Sequence, residues 1–213
     1  MAKTDEPLSL EELRALTPVI ITREKGEQVY RLFFAGGEHP STWDAFRHFG
    51  PTASRFDHHL PDDQGEAREQ SRGIMYLAAG SQAIPTCLAE VFQAARVIDT
   101  RSRAPVLCCF ALEADLNLLD LTGAFATRLH ASTIGGCDRA LARRWAQRLY
   151  DAYPDANGIL YTSSMYPGRP AIALFERGAS AIAPRPLFHR QLQDLALTSV
   201  IERTAQRIGY LVV

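Results

Sequence analysis

The sequence predicts an α+β domain with a mixed or antiparallel sheet core and flanking helices, and three observations carry that prediction. Strand-like and helix-like segments interleave along the chain without the strict strand–helix–strand repeat of a doubly wound fold. Hydrophobic residues make up 46% of the 213 positions and charged residues 22%, enough for one sizeable core under a wet surface. No internal repeat, low-complexity tract or long linker divides the chain. One domain over 28–213 follows, with residues 1–27 as a helical preamble.

The preamble is read from Ser9 and Glu12, which make a capping box, from Leu10, Leu13 and Leu16 on one side of a short helix, and from Pro18, which closes it. "QVYRLFF" (28–34) is rich in β-formers and runs into the turn "AGGEHP". From 38 to 71 the chain mixes Gly, Pro, His and charges; a short helix around Trp43 to Phe49 is the one regular element expected, and so long an irregular segment is usually functional or mobile. "GIMYLAA" (73–79) reads as a strand. Ser81 then caps a helix with Pro85 near its start and "TCLAEVFQAAR" as its body, with Ile84, Leu88, Val91, Phe92 and Ala95 on the apolar stripe. "PVLCCFAL" predicts a strand buried on both faces, and "LNLLDLTG" a short strand ending in a turn. A helix from about Asp138 to Asp151 carries Leu141, Trp145 and Leu149 on one stripe, leaving Arg139, Arg143, Arg144 and Arg148 as a solvated face. Strands at "GILYTS" and "AIALFE", the turn "SMYPGRP" between them, an amphipathic stretch near 195–207 and a terminal strand "IGYLVV" complete the chain.

Several function classes lose support on composition. With 23 basic and 24 acidic side chains, the net charge of -1 offers no basic footprint for direct nucleic-acid contact. No apolar run is long enough to span a bilayer, and the acidic N-terminus is unlike a signal peptide, so cytoplasmic residence is the expectation. The cysteines at 87, 108, 109 and 137 lack CxxC spacing and read as reduced core thiols. "DHHLPDD" (57–63) raises a metal site, but adjacent loop histidines are awkward co-ligands; a polar loop is the simpler reading and no metal is expected. Rossmann, P-loop, nucleophile-elbow and zincin motifs are missing.

What remains is a scatter of polar residues inside or just after apolar stretches: Arg31 in "VYRLFF", Arg55 in "TASRFDHH", Tyr76 in "GIMYLAA", Glu90 in "CLAEVFQ" and Ser163 after "GILYT". Singly, each has a plain explanation, as a snorkelling strand arginine, a solvated helix glutamate or a turn-starting serine. As an ordered set, "YRLF", "SRFD", "RGIMYLA", "TCLAEVFQ", "LLDLTG", "NGILYTSSM" and "ALFERG" resemble the RES domain family, named for an arginine, a glutamate and a serine in that order. The resemblance spans about Gln28 to Pro186. It implies a fold similar to ADP-ribosyltransferases and diphtheria-type toxins, and NAD cleavage between nicotinamide and ribose with water or inorganic phosphate as acceptor. NAD is then a substrate and no cofactor is needed. By motif, Arg31, Glu90 and Ser163 take the family's catalytic positions, with Ser164 the alternative to Ser163; Arg55 and Tyr76 match further substrate-binding positions. Where the family often has a Gly-Arg-Trp-like setting, this chain has "SRFD", with Phe56 as the aromatic neighbour.

That chemistry suits those residue types. Arginine forks can bind a diphosphate or an incoming phosphate, which assigns Arg31 and Arg55 to the anionic end. A fixed carboxylate at Glu90 stabilises the ribosyl oxocarbenium ion, an effect on the order of 3 kcal/mol. Tyr76 packs against nicotinamide or donates to ribose or phosphate, and Ser163 serves by hydrogen bonding, since no histidine is arranged to activate it. The resemblance further implies a toxin whose partner is a cognate antitoxin with an Xre-like helix-turn-helix, to which any DNA contact would belong. Transfer of ADP-ribose to a macromolecule and a catalytically silent nucleotide-binding module are the rival readings. Assembly into a homo-oligomer stays open.

Overall fold

The computed structural model describes residues 4–213. In chain order the elements are α1 (Leu10–Ala15), β1 (Ile20–Arg23), β2 (Gln28–Phe34), β3 (Arg47–Gly50), β4 (Arg68–Ala79), α2 (Ala83–Val91), β5 (Val97–Ile98) and β6 (Pro105–Ala111). There follow β7 (Leu116–Asp120), α3 (Ala124–Arg128), α4 (Arg139–Ala152), β8 (Gly158–Thr162), β9 (Pro170–Phe175), β10 (Phe188–Gln191), α5 (Thr198–Ile208) and β11 (Leu211–Val212). The main sheet runs β1-β7-β8-β9-β4-β2-β6-β10, with β3 added alongside β4. Only β7 and β8 pair in parallel within it, so the α+β class with a mixed sheet holds.

Helices cover one face of the sheet in two groups. Over β7, β8 and β9, α4 buries Trp145 and Leu149 against Ile159, Tyr161 and Phe175, and α1 adds Leu13. Over β2, β4 and β6, α2 is wedged between the sheet residues Leu32, Ala78 and Leu107 and the α5 residues Ile201 and Ala205. Burying one such large aliphatic side chain contributes about 1.5–3 kcal/mol over leaving it in water. The opposite face, with Val29, Met75, Leu77, Phe110 and Ile172, is covered by Ala181 and Ala183 and by Trp43 and Phe46 from the segment before β3.

Local chemistry explains where these elements begin and end. The capping box of α1 is formed: the Ser9 hydroxyl accepts from the Glu12 amide at 3.2 Å and the Ser9 amide donates to the Glu12 carboxylate at 2.8 Å. From α1 the chain continues into β1, which pairs with β7 in the same sheet as the rest of the domain. Asp138 caps α4 by accepting from the amides of Ala140 and Leu141. Gly209, at φ 71°, ends α5 in the left-handed conformation, which shortens the expected terminal strand to Leu211–Val212.

Three expectations are corrected. The segment 43–49 is not helical: Arg31 donates to the carbonyls of Trp43 and Ala45, taking acceptors a helix would need, and Arg47 onward pairs with β4. Ser81 does not cap α2; the N-cap is Gln82, without a side-chain bond, after a left-handed Gly80. That helix stops at Val91, and Ala95 is exposed, because the chain turns through a left-handed Arg96 into β5. The polar loop expected at "DHH" is a loop, and a buried one: Asp57, His58 and His59 are all fully buried.

Candidate functional site

The sheet splits at its centre. β2 pairs with β6 along its whole length, yet with β4 only through Val29–Ala79 and Tyr30–Ala78. Beyond Tyr30 the two strands diverge, and β3 takes the vacated edge of β4, with Arg47 opposite Ile74. The divergence opens a cleft of about 1070 Å³ between Arg31–Phe34 on one wall and Arg47–Phe49 with Ile74–Tyr76 on the other. A recess of about 40 Å³ adjoins it, lined by Thr86, Cys87, Glu90 and Tyr161. Leu32 and Tyr76 belong to both cavities.

Glu90 reaches the recess from the last turn of α2, a position fixed by the burial of Cys87, Leu88 and Ala89 just before it. Ser163 follows β8 and is 2% exposed. Its hydroxyl donates to Glu90 Oε1 at 2.5 Å and accepts from the amides of Met165 at 3.2 Å and Tyr166 at 3.0 Å. The serine is thereby held by its own turn, and it holds the carboxylate in one orientation. Ser164 is half-buried, and the contact to Glu90 is made by Ser163.

The other sequence-predicted residues lie around this pair in different ways. Tyr76 borders the recess and donates its hydroxyl to the Arg55 carbonyl at 2.7 Å. Burial pushes the phenols of Tyr76 and Tyr161 above their ordinary range, so both stay protonated donors at neutral pH. Arg55 donates through Nη1 to the carbonyls of Cys137 at 2.6 Å and Ile134 at 3.4 Å. Arg31 lines the cleft, but strand alternation puts it with Phe33 on the sheet face opposite Leu32, the residue beneath α2. Its guanidinium binds the carbonyls of Trp43 and Ala45, each at 2.8 Å, and Ser41 Oγ at 3.3 Å. Burial lowers its pKa to about 10, which still leaves it charged at neutral pH. Glu90 and Ser163 are therefore joined directly, with Tyr76 at their rim, whereas Arg31 and Arg55 are engaged with backbone carbonyls.

Sequence reasoning missed a second group. Arg47 faces the cleft, and its Nη2 donates to the fully buried Asp57 at 3.0 Å. Asp57 also accepts from the Thr52 amide at 2.6 Å, from Thr52 Oγ1 at 2.8 Å and from His59 Nδ1 at 2.5 Å. Burial alone would raise the pKa of this carboxyl; the His59, Arg47 and Thr52 donors hold it below the ordinary carboxylate range. Tyr161 and Cys87 were missed too. The Cys87 thiol is pushed up by burial and stays protonated, which argues against a nucleophilic role. Among the described residues, no three His, Cys, Asp or Glu side chains are placed to hold a metal ion. None of their helices is long and apolar enough to cross a membrane.

The RES domain family model matches residues 28–197. No curated protein matches the chain. Among solved structures, a chain of the M. tuberculosis MbcT-MbcA toxin-antitoxin complex superposes with a TM-score of 0.50 at 18% identity, over 89% of this chain and 97% of that one. At that identity the likeness concerns the fold.

Proposed function

This chain belongs to the RES domain family, and on that premise we propose that it degrades NAD by breaking the bond between nicotinamide and ribose, as the toxin of a toxin-antitoxin pair. The observation that carries the reading is the Glu90–Ser163 pair at 2.5 Å, in which Glu90 lines a recess adjoining a cleft with room for a dinucleotide. In the reaction nicotinamide leaves with the bonding electron pair as a neutral base. The ribose C1 becomes cationic, and an oxygen of water or phosphate forms the new bond and releases its proton. Glu90 is the negative charge that favours the cationic ribose, and such a preorganised contact contributes on the order of 3 kcal/mol. Ser163 keeps that carboxylate from rotating away. Tyr76, its hydroxyl engaged with the Arg55 carbonyl, offers its ring as a wall at the rim, Ser164 lies one residue along the same turn, and Arg31 and Arg55 brace the surrounding backbone through its carbonyls.

Incubating the chain with NAD, with and without inorganic phosphate, and identifying the products tests the reading. Free nicotinamide with ADP-ribose, or with its phosphate when phosphate is present, is the expected outcome. Label retained on protein or nucleic acid would make the chain a transferase, and binding without turnover would make it a silent module. The structural neighbour is a toxin-antitoxin complex, which supports a cognate antitoxin here, with an Xre-like helix-turn-helix as the form the family implies. Co-expression of that partner should restore the NAD level and growth of cells producing this chain.

A further inference from the structure

NAD bound as proposed needs a cation for its diphosphate on the same side of the sheet as Glu90. In an antiparallel pair, residues directly opposite each other project to one face. Arg47 is opposite Ile74, which shares its sheet face with Tyr76 and Ala78, the face that α2 and Glu90 cover. Arg31 projects to the other face and is 8% exposed, with its Nη atoms already donating to three oxygens. Arg55 lines neither the cleft nor the recess and donates to two carbonyls away from them.

Arg47 is differently placed. Its side chain is 31% exposed, and it lines the cleft beside Thr52 and Tyr76. Of the five N–H donors of a guanidinium, one goes to Asp57 and one to the Phe49 carbonyl, and Tyr76 lies beside it, which leaves donors that meet no other acceptor among the described residues. Asp57 fixes the direction of the fork. Its own charge is spread over donors from Thr52, His59 and Arg47, so it orients the arginine without cancelling its reach for an anion.

Resting on the NAD reading, we propose that Arg47 is the diphosphate-recognising residue of the cleft, with Asp57 and His59 as the buried positioning residues that aim it. Arginine is required for its fork, since a lysine ammonium in the same place offers one point charge.

Calorimetry with inorganic pyrophosphate as the probe tests the proposal without requiring turnover, and steady-state kinetics with NAD supplies a second readout. Arg47→Ala should weaken pyrophosphate binding by about tenfold or more, the scale of losing hydrogen bonds to a charged group, and should raise KM for NAD with kcat largely kept. Arg47→Lys, which keeps the charge and the stem, should fall between Arg47→Ala and wild type. Asp57→Asn should also raise KM more than it lowers kcat, a split that general loosening of the fold would not produce. Wild-type protein with no affinity for pyrophosphate, or both Arg47 variants binding it as wild type does, would overturn the assignment. A wild type that binds pyrophosphate through Arg47 yet leaves NAD intact would defeat the NAD reading alone.

Discussion

Ser163 donates to Glu90 and accepts from its own turn, and a pair of variants separates the orientation of the carboxylate from its charge. Ser163→Ala removes the bond that orients Glu90 and should lower kcat for NAD by about tenfold to a hundredfold, the scale of a hydrogen bond to a charged group. Glu90→Gln keeps the shape and loses the charge, so its rate should fall by about a hundredfold or more, while circular dichroism shows an unchanged fold. A Glu90→Gln variant as fast as wild type would remove the electrostatic role. These two residues were legible because one interrupts and the other follows a recognisable apolar run, in a recognisable order. Arg47, Asp57 and His59 were not: "DHH" reads as a polar loop with nothing to mark its burial, which rests on the donors Asp57 receives from Thr52, Arg47 and His59. An arginine's sequence neighbours likewise do not tell which of its donors will be taken by carbonyls.

At the scale of elements, the long segment between β2 and β4 is organised by Arg31 as much as by its own backbone. Arg31→Lys keeps the charge but cannot reach the carbonyls of Trp43 and Ala45 together with Ser41. Amide hydrogen exchange over 41–46 should then speed up, while protection of β2 and β6 stays as it was; unchanged exchange over 41–46 would show that the loop does not depend on the guanidinium. Strands with continuous apolar character, such as β6 and β9, were predictable within a residue or two. β1, β3 and β10 were not, because edge strands half in water carry mixed burial and no alternation to read. The expected helix at 43–49 failed for a related reason: β3 exists because β4 has an open edge, a fact of the sheet and not of the segment.

For the whole molecule, the buried ionisable cluster beneath the cleft sets how stability depends on pH. His58 is fully buried between Tyr150 at 4.4 Å and Phe175 at 4.5 Å, and burial lowers its pKa despite Glu176 nearby, with His59 and Arg72 acting in the same direction. The unfolded chain takes up a proton there below about 6.5, while the folded chain resists, so stability must fall as pH drops through that region. Glu176 works in the next window. Burial opposes its charge, but His58, Tyr150 and the Gly73 amide bring its pKa to about 2, so the stability it contributes above the ordinary carboxylate range is lost as pH falls toward that value. Melting temperatures from pH 8 to 3 should hold above neutrality and then decline in two stages; a midpoint that rises on acidification to pH 5 would contradict the burial of His58. Mechanically, the short β2–β4 pairing makes the closed end of the cleft a fulcrum. α2 packs on both strands there, so any widening is a rotation about Tyr30–Ala78 in which displacement grows with distance. Phe49 and Arg47 at the far lip would travel furthest and Glu90 least, so the aperture could take ligands of different bulk while the Glu90 carboxylate keeps its place.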